Sequence, residues 1–222
     1  MSVVVRGIGW ITLYVAVAVV PLIFAVVGPV EGGRGFWVEF SVALGFVGMS
    51  MLGAQFALVA RFRSMAAPFG EDALVQFHRQ ISAVALAFVL AHPVLLQIGG
   101  IDIVALLNLA EAPWRARFAV TSTVLLLIVV ATSVWRRRLR IRYEVWQVMH
   151  GVLSVAVVGF ALGHMLLVGY YLDAVWKVWL WVAMTLALVG LLVWVRVWRP
   201  SGGCGGRGAS RRSPPNAVMP PP

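Results

Sequence analysis

HRQISAVALAFVLAH (78–92) and HGVLSVAVVGFALGH (150–164) decide the reading of this chain. Each begins and ends on histidine, and together they hold all 4 histidines of its 222 residues. Both carry Ser four residues and Phe ten residues after the first histidine, so Ser82 corresponds to Ser154 and Phe88 to Phe160. On an α-helix, fourteen positions (92 − 78 and 164 − 150) make four turns less about 40°, a rise of roughly 21 Å. Each pair therefore projects from one face of its helix, with its two members at different depths. Two such helices set face to face would form two imidazole pairs, one above the other.

The flanking sequence is that of a membrane protein. Hydrophobic residues make up 61% of the chain and charged ones 12%, where a soluble domain carries about a quarter charged. The acidic residues Glu31, Glu39, Glu71, Asp72, Asp102, Glu111, Glu144 and Asp173 all fall in or beside polar breaks. Spanning helices need about 20 mostly apolar residues. Six stretches qualify: 8–27, 36–60, 74–98, 118–134, 146–169 and 175–198. The breaks between them carry turn chemistry or charge, as in GPVEGGRG (28–35), GGID (99–102) and RRRLRIR (136–142). The first span is expected to stay uncleaved, since its apolar run is too long for a signal peptide.

The arginines orient the bundle. Arg6, Arg61, Arg63, the five arginines of 136–142, Arg196 and Arg199 mark alternate breaks, while the other breaks mix signs. By the positive-inside rule both termini are expected to be cytoplasmic, in a plasma or inner membrane. This placement also accounts for the formal charge of +10, so no nucleic-acid partner is expected. Cys204 is the one cysteine, which excludes an intrachain disulfide. Residues 1–35 read as the first span and its outer loop, 36–199 as the core, and 200–222 as a tail. Rich in Gly, Pro and Arg, that cytoplasmic tail cannot bury a core and is expected to be disordered.

With that topology His78 and His150 lie at the inner level and His92 and His164 at the outer level, which pairs them in that way. A lone histidine in a span is usually a helix–helix hydrogen-bonding residue, and ionisable groups at depth can mark proton paths. A proton relay would bring Asp or Glu to depth, and no span carries one there. A closed non-haem metal site gathers its ligands within a few ångströms, whereas these split into two levels. Haem iron takes two axial ligands in line, and imidazole is a common one. The expectation is an all-α six-helix membrane bundle holding two b haems, with centres roughly 20 Å apart.

Haem b has two propionates, which favour cations near the membrane surface. Arg61, Arg63, Arg79 and Arg142 are the inner candidates, Arg115 and Arg117 the outer ones. Plain topology or interfacial snorkelling explains each arginine equally well. Phe88 and Phe160 sit one turn inward of the outer histidines, where they either bridge the haems or pack against porphyrin and lipid. Gly151, Gly159 and Gly163 would admit a flat macrocycle or another backbone, and Pro93 would bend the third span.

These residues resemble the ferric reductase-like transmembrane domain shared by ferric reductases and NADPH oxidases. The resemblance covers about residues 40–199 and rests on RFRSMAAPFGEDALVQFHR, LAHPVLL, YEVWQVMHGVLS and ALGH. It implies axial ligation by His78, His92, His150 and His164. It also implies electron transfer from a cytoplasmic flavin to an external acceptor such as ferric iron or oxygen. Relatives continue into FAD- and NAD(P)H-binding domains, and these 222 residues hold no Gly-rich dinucleotide fingerprint. The donor is therefore expected on a separate flavoprotein, from quinol, or in a domain missing from this chain. Two other functions remain open at this point. One is the haem subunit of a periplasmic methionine sulfoxide reductase-like system, and the other a haem-free six-helix transporter. The transporter lacks support from mid-membrane carboxylates or matched broken helices.

Overall fold

The computed structural model describes residues 3–27, 33–59 and 69–197. Arg61, Arg63 and the expected tail lie outside the described residues. Within them the chain is all helical: α1 (Val3–Val26), α2 (Phe36–Val59), α3 (Glu71–Ile98), α4 (Ile103–Leu106), α5 (Trp114–Val134), α6 (Tyr143–Val168) and α7 (Val175–Val197). All but α4 are long and apolar enough to cross a membrane. The shortest of the six, α5, has 21 residues; that rises about 32 Å, enough for a hydrocarbon core of about 30 Å.

Helix ends differ from the apolar runs for local reasons. α5 and α6 begin at Trp114 and Tyr143, ahead of the apolar stretches expected from 118 and 146, because Trp, Arg and Tyr can sit in the interface while their backbone is already helical. The short α4 was not foreseen; the Asp102 carboxylate caps it by accepting the Ala105 N–H at 3.0 Å. α3 continues as helix through Pro93 to Ile98, as membrane helices tolerate when neighbours supply the packing. α6 stops at Gly169, whose φ of 68° is left-handed and whose N–H returns to Met165.

α2 is the central helix. Of its apolar window 61% is buried, against at most 17% in the other five spans. Small residues make this possible by letting neighbours approach closely. A Cβ on Gly48 would stand 3.3 Å from Val89 of α3, and one on Gly53 would stand 3.0 Å from Leu188 of α7. The fully buried Trp181 of α7 packs against Phe46 of α2 at 5.3 Å. α2 pairs mainly with α3, and α5 mainly with α6. These two pairs form facing walls.

Contacts across the bundle set the levels. Trp10 and Tyr14 of α1 cluster with Leu58, Leu74 and Phe77, so α1 starts at the same face (the near face) as α2 ends and α3 starts. At the opposite, far face, Lys177 is buried and donates to Asp173 at 2.9 Å and to the Ala25 carbonyl at 3.2 Å. The lysine thus satisfies one of the free carbonyls in the last turn of α1. Its hydrogen bond holds the exposed Asp173 carboxyl below the usual carboxylate range. Beside it, Arg34 lies 3.9 Å over the Tyr170 ring and pairs with Glu39.

Candidate functional site

The histidines come from the two walls. Among the described residues α3 and α6, which carry them, make almost no direct backbone contact. Their rings nevertheless meet across the gap. His78 and His150 have ring centres 6.5 Å apart, and His92 and His164 have theirs 6.4 Å apart, each pair at 69°. The four thus form two pairs at two depths, in the combination their spacing predicts.

That separation is physically specific. A metal–imidazole bond is about 2.0–2.1 Å and the ring centre lies about 1.1 Å beyond the nitrogen, so two imidazoles in line on one metal set their centres about 6.3 Å apart. Rings sharing such an axis can take any angle about it. Direct packing of the rings would bring centres closer or tilt them edge to face within 4.5–7 Å, so distance alone does not decide between the two.

The other ring nitrogen adds a second observation. His92 Nδ1 donates to the Ser41 carbonyl at 2.9 Å, and His164 Nδ1 donates to the Arg115 carbonyl at 2.8 Å. A carbonyl only accepts, so both Nδ1 atoms carry the hydrogen and both Nε2 atoms keep a free lone pair. His78 Nδ1 donates to Gln55 Oε1 at 2.6 Å. His150 Nδ1 donates to Ser133 Oγ at 3.1 Å, and that hydroxyl passes its own hydrogen to the Val129 carbonyl at 2.6 Å. All four rings are therefore oriented through Nδ1, the arrangement of a metal-ligating histidine whose second nitrogen is fixed by an acceptor. No group of three or more His, Cys, Asp or Glu side chains gathers among the described residues. A pair of imidazoles at each level, without a third such side chain among the described residues, would suit a metal whose other positions are closed by a macrocycle.

Ser41, Gln55 and Ser133 were absent from the sequence reading, and Arg115 entered it only as a propionate candidate, yet a signal for them exists. Ser41 and Gln55 of α2 are fourteen residues apart (55 − 41), the spacing of the histidines they serve. Arg115 and Ser133 of α5 are eighteen apart (133 − 115), five full turns. Ser41 and Gln55 thus repeat the axial interval of His78 and His92, and Arg115 and Ser133 share one face of α5 at a wider interval than His150 and His164.

Other expected site residues are distributed around this frame. Arg79 and Arg115 are exposed, each beside a histidine level. Arg117 donates to the Ala112 and Ala110 carbonyls at 2.9 and 3.0 Å and lies over Trp114, so it shapes the loop before α5. Arg142 is exposed beside Glu144. Arg136, which the sequence reading did not single out, lies 5.5 Å over Trp146, whose ring is 5.1 Å from His150. Trp146 Nε1 is buried and finds no hydrogen-bond partner among the described residues. A buried N–H without an acceptor costs stability, and here it stands one turn from His150, where a carboxylate of a bound group would complete it. Phe160 packs edge-on to Phe118 at 5.3 Å, and Phe88 joins Ala18, Met51 and Ala85. The ligand faces carry Ala85 and Val157 midway between the levels, both buried. Val157 packs with Leu126 and Val129, so aliphatic side chains fill the middle there.

A helical membrane bundle with two stacked, oriented imidazole pairs is the class that fold and site define. The family described as the ferric reductase-like transmembrane component matches residues 44–161, more than half of the chain, and the chain belongs to that family. The match begins in α2 and ends in α6 three residues before His164. An uncharacterized protein of Archaeoglobus fulgidus is 28% identical over 123 residues, which cover 52% of this chain and 67% of that protein. No solved structure matches.

Proposed function

We propose that the chain carries electrons across the bilayer on two b haems, one held by His78 and His150, the other by His92 and His164. Support comes chiefly from the two imidazole pairs at 6.5 and 6.4 Å with every Nδ1 engaged. Haem, when bound, supplies one-electron chemistry, and the protein supplies ligation, orientation and electrostatics.

In this reading each histidine would hold the iron through Nε2, while Gln55, Ser133 and the Ser41 and Arg115 carbonyls orient its ring through Nδ1. The aliphatic residues between the levels exclude water from the interval. Trp146, Arg136, Arg79 and Arg142 would be the partners of near-level propionates, and Arg115 and Arg117 those of the far level, with Arg61 and Arg63 as further candidates from the sequence. The near face is cytoplasmic by arginine content, with both termini there. A flavoprotein or another reductant would donate at the near level, with FAD and NAD(P)H on a separate or missing domain. The acceptor, such as ferric iron or oxygen, would be met at the far face, in the plasma or inner membrane.

The test is direct. Protein purified in detergent should show b-type bands in a reduced-minus-oxidised spectrum and about two haems per chain by pyridine haemochrome. A colourless protein that cannot be reconstituted with haem would overturn the proposal and favour the transporter.

A further inference from the structure

The two histidine levels are braced by different chemistry. At the far level each Nδ1 has a main-chain carbonyl acceptor, of Ser41 or Arg115, and the Ser41 hydroxyl, which donates to the His92 carbonyl at 2.7 Å, stands 2.9 Å from His92 Nδ1 as a second acceptor. At the near level both acceptors are side chains, the Gln55 amide and the Ser133 hydroxyl. We propose that Gln55 and Ser133 are positioning residues that set the reduction potential of the near-level haem, independently of the far one. This rests on the haem ligation proposed above.

Three observations carry it. Gln55 is buried and its Nε2 finds no partner among the described residues. Packing would be better served there by Leu or Met, because a buried half-satisfied amide costs free energy. What the amide does make is the 2.6 Å bond to His78, the shortest of the four histidine bonds. Second, Ser133 is polarised by donating to Val129 at 2.6 Å while it accepts from His150. A chain of this kind strengthens its members. Third, both residues reach their histidines from the adjoining helix of the same wall, so neither spans the gap or touches the iron position.

The chemistry follows from charge. An acceptor on Nδ1–H draws the hydrogen outward, leaves more electron density on Nε2 and makes the ligand more basic. A more basic ligand favours the ferric state, which carries one positive charge more than the ferrous state. Losing the acceptor should therefore raise the potential, and a stronger acceptor should lower it. At the far level no side-chain exchange removes the carbonyl acceptors; Ser41→Ala deletes the second acceptor of His92 and leaves the carbonyl in place.

The experiment is a spectroelectrochemical titration of the full chain in detergent, with each component assigned from His78→Ala and His92→Ala proteins. Gln55→Met and Ser133→Ala should each shift the near-level equilibrium toward the ferrous form by about tenfold, which is about 59 mV for a one-electron couple. Gln55→Glu should shift it the opposite way, and Ser41→Ala, which keeps the carbonyl acceptor of His92, should move the far component clearly less than Ser133→Ala moves the near one. A near component unmoved in both Gln55→Met and Ser133→Ala, with two haems retained, overturns the inference and leaves the haem proposal standing. Shifts of the same sign in Gln55→Met and Gln55→Glu also overturn it, since altered packing alone would produce them. Should the Gln55 variants not accumulate, Ser133→Ala against Ser41→Ala decides. Wild-type protein without haem overturns both proposals.

Discussion

The near and far histidine levels are alike in span and unlike in construction. Their ring centres differ by only 0.1 Å (6.5 against 6.4), yet one level is held by side chains alone and the other has a main-chain acceptor on each ring. A main-chain acceptor is present whatever residue occupies the position, so far-level ring orientation depends on how α2 packs on α3 and α5 on α6. The near level depends in addition on two particular residues. Equal geometry can thus coexist with unequal sensitivity to mutation.

The largest effect should come from the ligands themselves. His92→Ala or His164→Ala should remove one of two haem equivalents, the far one, and His78→Ala or His150→Ala the other, as measured by haemochrome content per chain. Loss of both haems from a single far-level change would contradict two separate sites.

Packing should show the same division at smaller scale. A Cβ on Gly163 would lie 2.5 Å from the Phe118 ring, whereas one on Gly159 would meet nothing within 4 Å. Gly163→Ala should lower far-level occupancy and cost about 1–3 kcal/mol in unfolding, the range for overpacking, with Gly159→Ala near neutral. Thermal melts of the two proteins side by side check this.

The far face has a further device without a near-level counterpart in the described residues, the Lys177 bond to Asp173 and Ala25. Because the folded carboxyl of Asp173 is held below its ordinary value, its contribution to stability is present above the unfolded pKa of about 3.9 and is lost as pH falls through the folded one. Melting temperature should drop on acidification below about pH 4, and less so in Lys177→Met, whose starting stability is already lower. Smallest of all should be Trp146→Phe, which keeps the ring against His150 and removes the unpartnered N–H. Near-level haem should dissociate slightly faster, as followed by transfer to apomyoglobin.

Much of this molecule was legible in its residues. The six apolar runs located the spans, because a backbone in lipid must bond within itself and helices are how one chain does so. The fourteen-residue interval gave the pairing of the histidines, because rise and angle along one helix are fixed by its geometry. Less legible were the ends of α5 and α6, where interfacial Trp, Arg and Tyr extend helices past the apolar signal. The capped turn of α4 and the burial of Lys177 gave no periodic trace at all. Arg136 escaped notice within RRRLRIR because nothing in a run of arginines says which one folds back over Trp146.

The chain by itself determined which helices form, which face of α3 and of α6 bears histidine, and at what two depths. Only the tertiary structure decided what each imidazole's second nitrogen meets. Those acceptors lie 17 to 51 residues away along the chain, on helices that approach closely at Gly48 and Gly163. Periodicity fixes geometry within one helix, but no periodicity fixes how two helices turn towards each other; contact between their side chains does that.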